Sequence, residues 1–236
     1  MDDDELRRSA ALEARHWWYS GRRALVRRLM RGVPAGRAID VGPGPGGNAA
    51  VLRSMGWRVT GVELTETGAM LCARRGVPVV RGDARRLPVA DREVDLVMST
   101  DVWEHVEDHE TVARESFRVL RPGGRLLLAV PAGMALWSGH DVALGHVRRY
   151  ERDDLVALVE GSGFVVQDVR SWNVLLRPVA RLRLSTPGQG AGEGTSEMEH
   201  VAAPVNAGLR AAVALESLLP VGRLPGLSLV VRAFRP

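Results

Sequence analysis

Arg37-Ala38-Ile39-Asp40-Val41-Gly42-Pro43-Gly44-Pro45-Gly46-Gly47 is the strongest structural signal in this chain. Arg37 to Val41 has the length and apolar content of a short buried strand. Glycines follow. From Asn48 to Met55 the apolar residues Ala49, Val51, Leu52 and Met55 then take helical spacing. A strand that runs into a helix through glycines brings backbone close to a ligand that a Cβ would keep away. The free N–H groups of the helix start favour polar or anionic ligand atoms. Gly42, Gly44 and Gly47 satisfy the dinucleotide-binding spacing G-x-G-x-x-G, and Gly42, Gly44 and Gly46 satisfy a looser G-x-G-x-G. Asp40 stands two places before the first glycine, where dinucleotide-binding turns usually carry an apolar residue.

The bulk composition bounds the class. A chain of 236 residues with 45 % hydrophobic and 25 % charged residues is long enough to bury a core as one large domain. No run of about 18 uncharged apolar residues exists, so no membrane span is expected. Met1 to Glu5 is acidic and lacks an apolar core, unlike a secretory signal. A single cysteine, Cys72, forbids an internal disulfide and suits a reducing cytoplasm. All 32 basic residues are arginine and the net charge is only +4, so lysine chemistry is excluded and the high pI partly reflects residue choice. The arginines are interspersed with acids and carry no aromatic-interleaved basic run, which argues against a nucleic-acid surface.

Strand and helix patterns alternate after the glycines. Trp57 to Glu63 alternates as a strand, and Glu63 stands 21 residues beyond Gly42. An acid at the tip of the second strand is where a Rossmann-type site binds ribose hydroxyls. Thr65 caps a helix to Arg75, which makes Cys72 a packing residue. Val77 to Arg81 reads as a third strand, Glu93 to Ser99 as a fourth and Arg125 to Val130 as a fifth. Asp108 to Leu120 reads as a helix, and Arg121-Pro122-Gly123-Gly124 as the turn into the fifth strand. Such alternation predicts a doubly wound α/β fold with a parallel sheet.

Four segments together resemble the class I S-adenosylmethionine (SAM)-dependent methyltransferases. They are Ile39-Asp40-Val41-Gly42-x-Gly44-x-Gly46; Gly82-Asp83-Ala84-x-x-Leu87-Pro88; Ser99-Thr100-Asp101-Val102-Trp103-Glu104-His105-Val106; and Leu120-x-Pro122-Gly123-Gly124. The resemblance covers roughly residues 37–130. It implies a Rossmann-like seven-stranded sheet of order 3-2-1-4-5-7-6 with the last strand antiparallel. It also implies SAM as cofactor, held by Asp40, Gly42, Gly44, Gly46, Glu63, Leu64, Asp83, Ala84, Thr100 and Asp101. Glu63 would take the ribose hydroxyls, Asp83 the adenine amino group and the N–H of Ala84 a ring nitrogen. No Asn/Asp-Pro-Pro-Tyr motif is present, which lowers methylation of base or glutamine amides.

The flanks carry less family signal. Asp4 to Arg15 and Gly21 to about Arg31 fit two helices, with the cluster His16-Trp17-Trp18-Tyr19 between them. These aromatics either staple the helix pair to the core or form a lid over the cofactor, with Tyr19 and Arg22 or Arg23 reaching it. Pro131 to Tyr150 is rich in polar chemistry after a strand's carboxyl end, as functional loops are. There His140 and His146 are the candidate proton acceptors, with Asp101 and His105 as alternatives. Trp137, Asp141, Arg148, Arg149 and Tyr150 are the candidate acceptor contacts. The six-residue spacing of the two histidines is not a same-face helical pair, so no metal is expected.

The remainder reads as a helix from Glu151 to Gly161, a strand from Phe164 to Val169, apolar helices over 172–184 and 201–219, and a closing strand over 227–234. Ser185 to Glu199 reads as a glycine-rich linker. The expected division is 1–34 as helical lid, 35–131 as cofactor half and 132–236 as acceptor half with an insertion at 172–226. The expected activity is methyl transfer to an oxygen or nitrogen of a small molecule, with no nucleic-acid partner and an unassigned oligomeric state. An NAD(P)-dependent oxidoreductase and a non-catalytic SAM-binding or lipid-surface module are the alternative readings.

Overall fold

A computed structural model describes residues 3–184 and 201–236. The linker expected at Ser185 to Glu199 lies outside the described residues. The N-terminal helices are α1 (Asp3–Leu12) and α2 (Trp17–Leu29). Next come β1 (Arg37–Val41), α3 (Gly47–Ser54), β2 (Arg58–Glu63), α4 (Glu66–Arg74), β3 (Val79–Arg81), β4 (Val94–Thr100), α5 (His109–Val119) and β5 (Leu120–Pro131). The second half holds α6 (Gly139–Leu144), α7 (Arg152–Gly161), β6 (Val165–Trp172), α8 (Arg177–Leu184), α9 (Ala203–Glu216) and β7 (Ser228–Phe234).

The seven strands form one sheet of order β3-β2-β1-β4-β5-β7-β6. β1 to β5 are mutually parallel, and β7 runs antiparallel between β5 and β6. This is the expected doubly wound α/β sheet with an antiparallel last strand. Each face carries its own core. Ile39, Val41, Val97, Leu126 and Leu128 point to the face covered by α5 and α7. Ala38, Leu96, Met98, Leu127 and Ala129 point to the face covered by α2, α3, α4 and α9. The period of two along β1 therefore turns Asp40 toward the second face, among apolar neighbours.

Several boundaries differ from the sequence reading. α2 begins at Trp17, because His16 caps it: Nδ1 of His16 accepts from the N–H of Trp18 at 3.3 Å. The aromatic cluster is thus the first turn of the helix, not a link before it. β5 begins at Leu120, because the residues read as a turn join a ladder, with the N–H groups of Gly123 and Arg235 donating to the carbonyls of Arg235 and Gly124. β6 runs on to Trp172, which delays α8 to Arg177. The 131–150 segment holds a 3-10 turn at Met134–Leu136 and the short helix α6. Among the described residues, no helix is long and apolar enough to cross a membrane.

Leu52 tests how firmly α3 is held. Its side chain is fully buried where α3 meets the sheet. Leu52→Ala is expected to cost about 2–5 kcal/mol through lost burial and the cavity left behind. Urea unfolding followed by circular dichroism reads this as a lower midpoint with an unchanged slope.

Candidate active site

The glycine turn gathers acids around it. Gly42, Gly44 and Gly46 all take positive φ, and a Cβ on Gly42 would lie 2.5 Å from a methyl of Val102. Glu63, at the tip of β2, ties the turn to the next helix. Its Oε2 accepts from the N–H of Gly44 at 3.2 Å, and its Oε1 from the N–H and hydroxyl of Thr65 at 3.0 and 2.9 Å. Thr65 in turn caps α4 through Gly68. Asp40 is fully buried, and neither carboxylate oxygen has a protein partner. Burial drives its pKa well above the ordinary carboxylate value, and the charges of Glu63 and Glu13 push it further. Glu13 follows α1 and reaches over the start of α3, where a Cβ on Gly47 would collide with it. Burial raises the Glu13 pKa, against the opposing pull of Arg75 at 2.6 Å and of Arg23.

The tip of β4 is clamped to the N-terminal helices. Asp101 takes a left-handed backbone conformation, and both its oxygens accept from Arg22 Nη2, at 2.8 and 3.0 Å. The Arg22 side chain is 3 % exposed and lies between Trp18 and Trp172, 5.2 and 4.3 Å from their ring centres. Its Nε and Nη1 have no partner. Thr100 accepts from Asn48 Nδ2 at 3.1 Å. Tyr19 is one turn of α2 away from Arg22, and burial raises its hydroxyl pKa to about 12. Leu64 is exposed beyond the tip of β2, and Ala84 is half-buried. The Asp83 carboxylate accepts from the backbone and guanidinium of Arg85, whose hydrogen bonds hold its pKa below the usual range.

A second group forms where Trp103–His105, a 3-10 turn, meets the residues after α6. Glu104 is fully buried with no partner for either oxygen, and its pKa is driven well up by burial first and the charge of Asp101 second. His146 Nε2 lies 3.9 Å from Glu104 Oε1, while His146 Nδ1 is 2.8 Å from Asp141 Oδ1. The rings of His105 and His146 meet edge-to-face at 4.7 Å, and His105 Nδ1 is 3.2 Å from the Gly145 carbonyl. Burial, with His146 nearby, lowers the His105 pKa to about 4. Asp141 is fully buried as well. Burial pushes its pKa up, but hydrogen bonds from His146 and Arg149 outweigh this and bring it to about 2. It also accepts from the Ser138 N–H in a capping box that starts α6.

The other acceptor-side candidates are distributed around this group. Arg149 Nε donates to Asp141 at 2.8 Å, and Arg148 donates to the Glu107 carbonyl at 2.8 Å. Tyr150 is buried with its hydroxyl 2.8 Å from His109 Nδ1. Trp137 and His140 are half-buried at the start of α6. A cleft of about 690 Å³ opens at the opposite edge of the sheet, beside Arg37, Arg58 and Val94, and gathers none of these groups.

Residues 39–128 match the family described as "Methyltransferase domain". Over those residues the chain is similar to methyltransferase domains. It is 32 % identical over 161 residues to a probable S-adenosylmethionine-dependent methyltransferase of Mycolicibacterium smegmatis, covering 66 % of this chain and 63 % of that one. The chain thus spans less than two thirds of the length of that relative. One similar fold is the complex between the Haloferax volcanii Trm112 methyltransferase activator and the putative methyltransferase. It has a TM-score of 0.69 and 18 % identity, covering 99 % of this chain and 95 % of that chain. Another is a SAM-dependent methyltransferase of Thermotoga maritima, a possible histamine N-methyltransferase, with a TM-score of 0.63, 19 % identity, and coverage of 99 % and 96 %.

Two acids of this edge, Glu13 and Glu104, carry no separate signal in the sequence. Glu13 gave no signal, because its neighbours at the glycine turn are distant in sequence. Glu104 stands in the sequence only as part of a motif; its unpartnered carboxylate shows only in the fold, with His146 beside it. The pH response of Asp40 follows from its burial. A folded-state pKa above the unfolded one means stability that is full below about pH 4 and lost as pH rises through the folded value. Asp40→Asn is therefore expected to melt above wild type at pH 8 and to converge with it near pH 4. Thermal unfolding across that range measures the gap.

Proposed function

We propose that this chain transfers a methyl group from SAM to an oxygen or nitrogen of a small-molecule acceptor. The observation that carries the reading is a complementary pair of unsatisfied groups. Asp40 is a buried acid without a partner, and Arg22, paired with Asp101 through Nη2, keeps Nε and Nη1 unused. SAM is cationic at its sulfonium and ammonium and anionic at its carboxylate, so such a pair suits it. Glu63, whose oxygens already accept backbone and hydroxyl donors, is the group we assign to the ribose hydroxyls. Asp83 and Ala84 are assigned to the adenine. Residues 1–34 act as the lid, with Arg22 as its latch on Asp101. The cytoplasm suits a chain with one buried cysteine.

When bound, SAM supplies an activated methyl group, so the protein's task is mainly orientation and water exclusion. Glu104, His105 and His146 form the acceptor side, and the acceptor's proton leaves toward this group. Asp141 fixes the proton of His146 on Nδ1 and keeps Nε2 turned to Glu104.

Two measurements test the assignment. Glu63→Ala is expected to weaken SAM binding by about 1.5–3 kcal/mol for each charge-assisted bond lost. Asp83→Ala should weaken it less, because adenine also packs on apolar walls. Calorimetry that finds wild-type affinity in both variants would remove these residues from the cofactor site. Once an acceptor is known, His146→Ala should slow single-turnover methyl transfer by about 10²–10⁴-fold with SAM affinity unchanged. A near-wild-type rate would leave orientation as the whole mechanism.

A further inference from the structure

Proton transfer alone does not account for the geometry around Glu104. One ligand-type atom from each of Glu104, His105 and His146 lies within 4.8 Å of the other two. The Glu104 carboxylate is fully buried and has no hydrogen-bond partner on either oxygen. A carboxylate in that position needs a proton or a cation. Both imidazoles are arranged as metal-bound imidazoles are. Each commits Nδ1 to a fixed acceptor, the Gly145 carbonyl for His105 and the Asp141 carboxylate for His146. Such outer partners fix the ring and leave the Nε2 lone pair for a ligand.

The charge balance agrees. Asp141 and Asp101 place negative charge beside the group, and Arg149 and Arg22 are each already spent on one of those acids. A four-coordinate ion with bonds of about 2.0–2.2 Å sets its ligand atoms about 3.3–3.6 Å apart. The 3.9 Å between His146 Nε2 and Glu104 Oε1 is close to that spacing. The other separations, at most 4.8 Å, close with a shift of about 1 Å shared among three side chains.

We propose that Glu104, His105 and His146 bind a divalent transition-metal ion, with zinc the best match to two imidazoles and one carboxylate. Three protein ligands leave one position open. Because it rests on the acceptor-side reading above, the inference also narrows the acceptor to a hydroxyl compound. With the ion bound, these three side chains serve as its ligands in place of proton acceptors; a hydroxyl oxygen binds the ion through a lone pair, and its O–H bond breaks as the proton passes to solvent water. The resulting oxyanion is then the nucleophile. An ammonium has no lone pair to offer the ion.

The test is calorimetric titration of zinc chloride into the full-length, chelator-treated protein, with cobalt(II) absorption as an independent report on coordination. One site per chain with visible cobalt bands is expected. Glu104→Gln keeps the side-chain volume and removes only a buried charge, so it should fold. It and His105→Gln should each weaken zinc binding by at least about 10-fold, the scale of outer-partner effects on metal sites. A wild-type protein that binds no zinc overturns the proposal, as does a folded Glu104→Gln variant that binds it as tightly as wild type. Titration of S-adenosylhomocysteine into the same samples separates the two readings. Its binding without zinc binding overturns the metal site alone. Zinc binding without its binding supports the metal site and overturns the methyl-transfer reading.

Discussion

Parallel strands all release the chain at the same edge of their sheet. With β1 to β5 parallel, Gly42, Glu63, Asp101 and Ala132 leave their strands on one side, although they are 90 residues apart in sequence from first to last. The site depends on this constraint more than on any single contact. The glycine turn would be an ordinary strand–helix link without β2 beside it to bring Glu63 to Gly44. Asp101 would be an ordinary strand end without β4 on the other side of β1. The ligand crevice of open α/β sheets forms at such an edge for the same reason.

The edge concentrates negative charge. Asp40, Glu63, Asp101, Glu104 and Asp141 all lie on it or just beyond it, and Glu13 leans in from α1. Arg22, Arg75 and Arg149 each neutralise one acid. Glu63 is met by backbone and hydroxyl donors. Asp40 and Glu104 are left over. A buried acid is costly to keep, and stability alone would replace it with a neutral side chain. The two unpaired acids are therefore the residues of this edge that packing alone does not explain.

The sheet was legible because its signals are local. Period-two alternation, a Thr65 cap and glycines at strand ends each fix their element within a few residues. Strand order came from family resemblance, since periodicity says nothing about neighbours. β5 starts five residues before the strand the sequence predicts, because its early pairing depends on Arg235, over a hundred residues away. The candidate site divides in the same way. Glu63 and the glycine turn are close in sequence, and their joint place could be read. Glu104, which lies against Nε2 of His146, is 42 residues upstream, and Arg85, which occupies Asp83, offered no pattern beyond one more arginine. Arg148 and Arg149 looked alike in sequence, but one turns to the Glu107 carbonyl and the other to Asp141.

The Arg22 clamp bears on the order in which the chain can finish folding during synthesis. Trp18 rests on Trp172, and the N–H of Trp17 donates to Asn206 Oδ1 at 2.8 Å. Gly21 is glycine where a Cβ would stand 3.0 Å from Val213. α1 and α2 can pack on α4 and α3 early, but α2 gains its contacts with Trp172 and Asn206 only after the chain has grown well beyond the glycine turn. The last strand, β7, must also enter between two strands already made. Until Trp172 and Asn206 have been made, a growing chain has the glycine turn and Glu63 but not the full packing around Arg22.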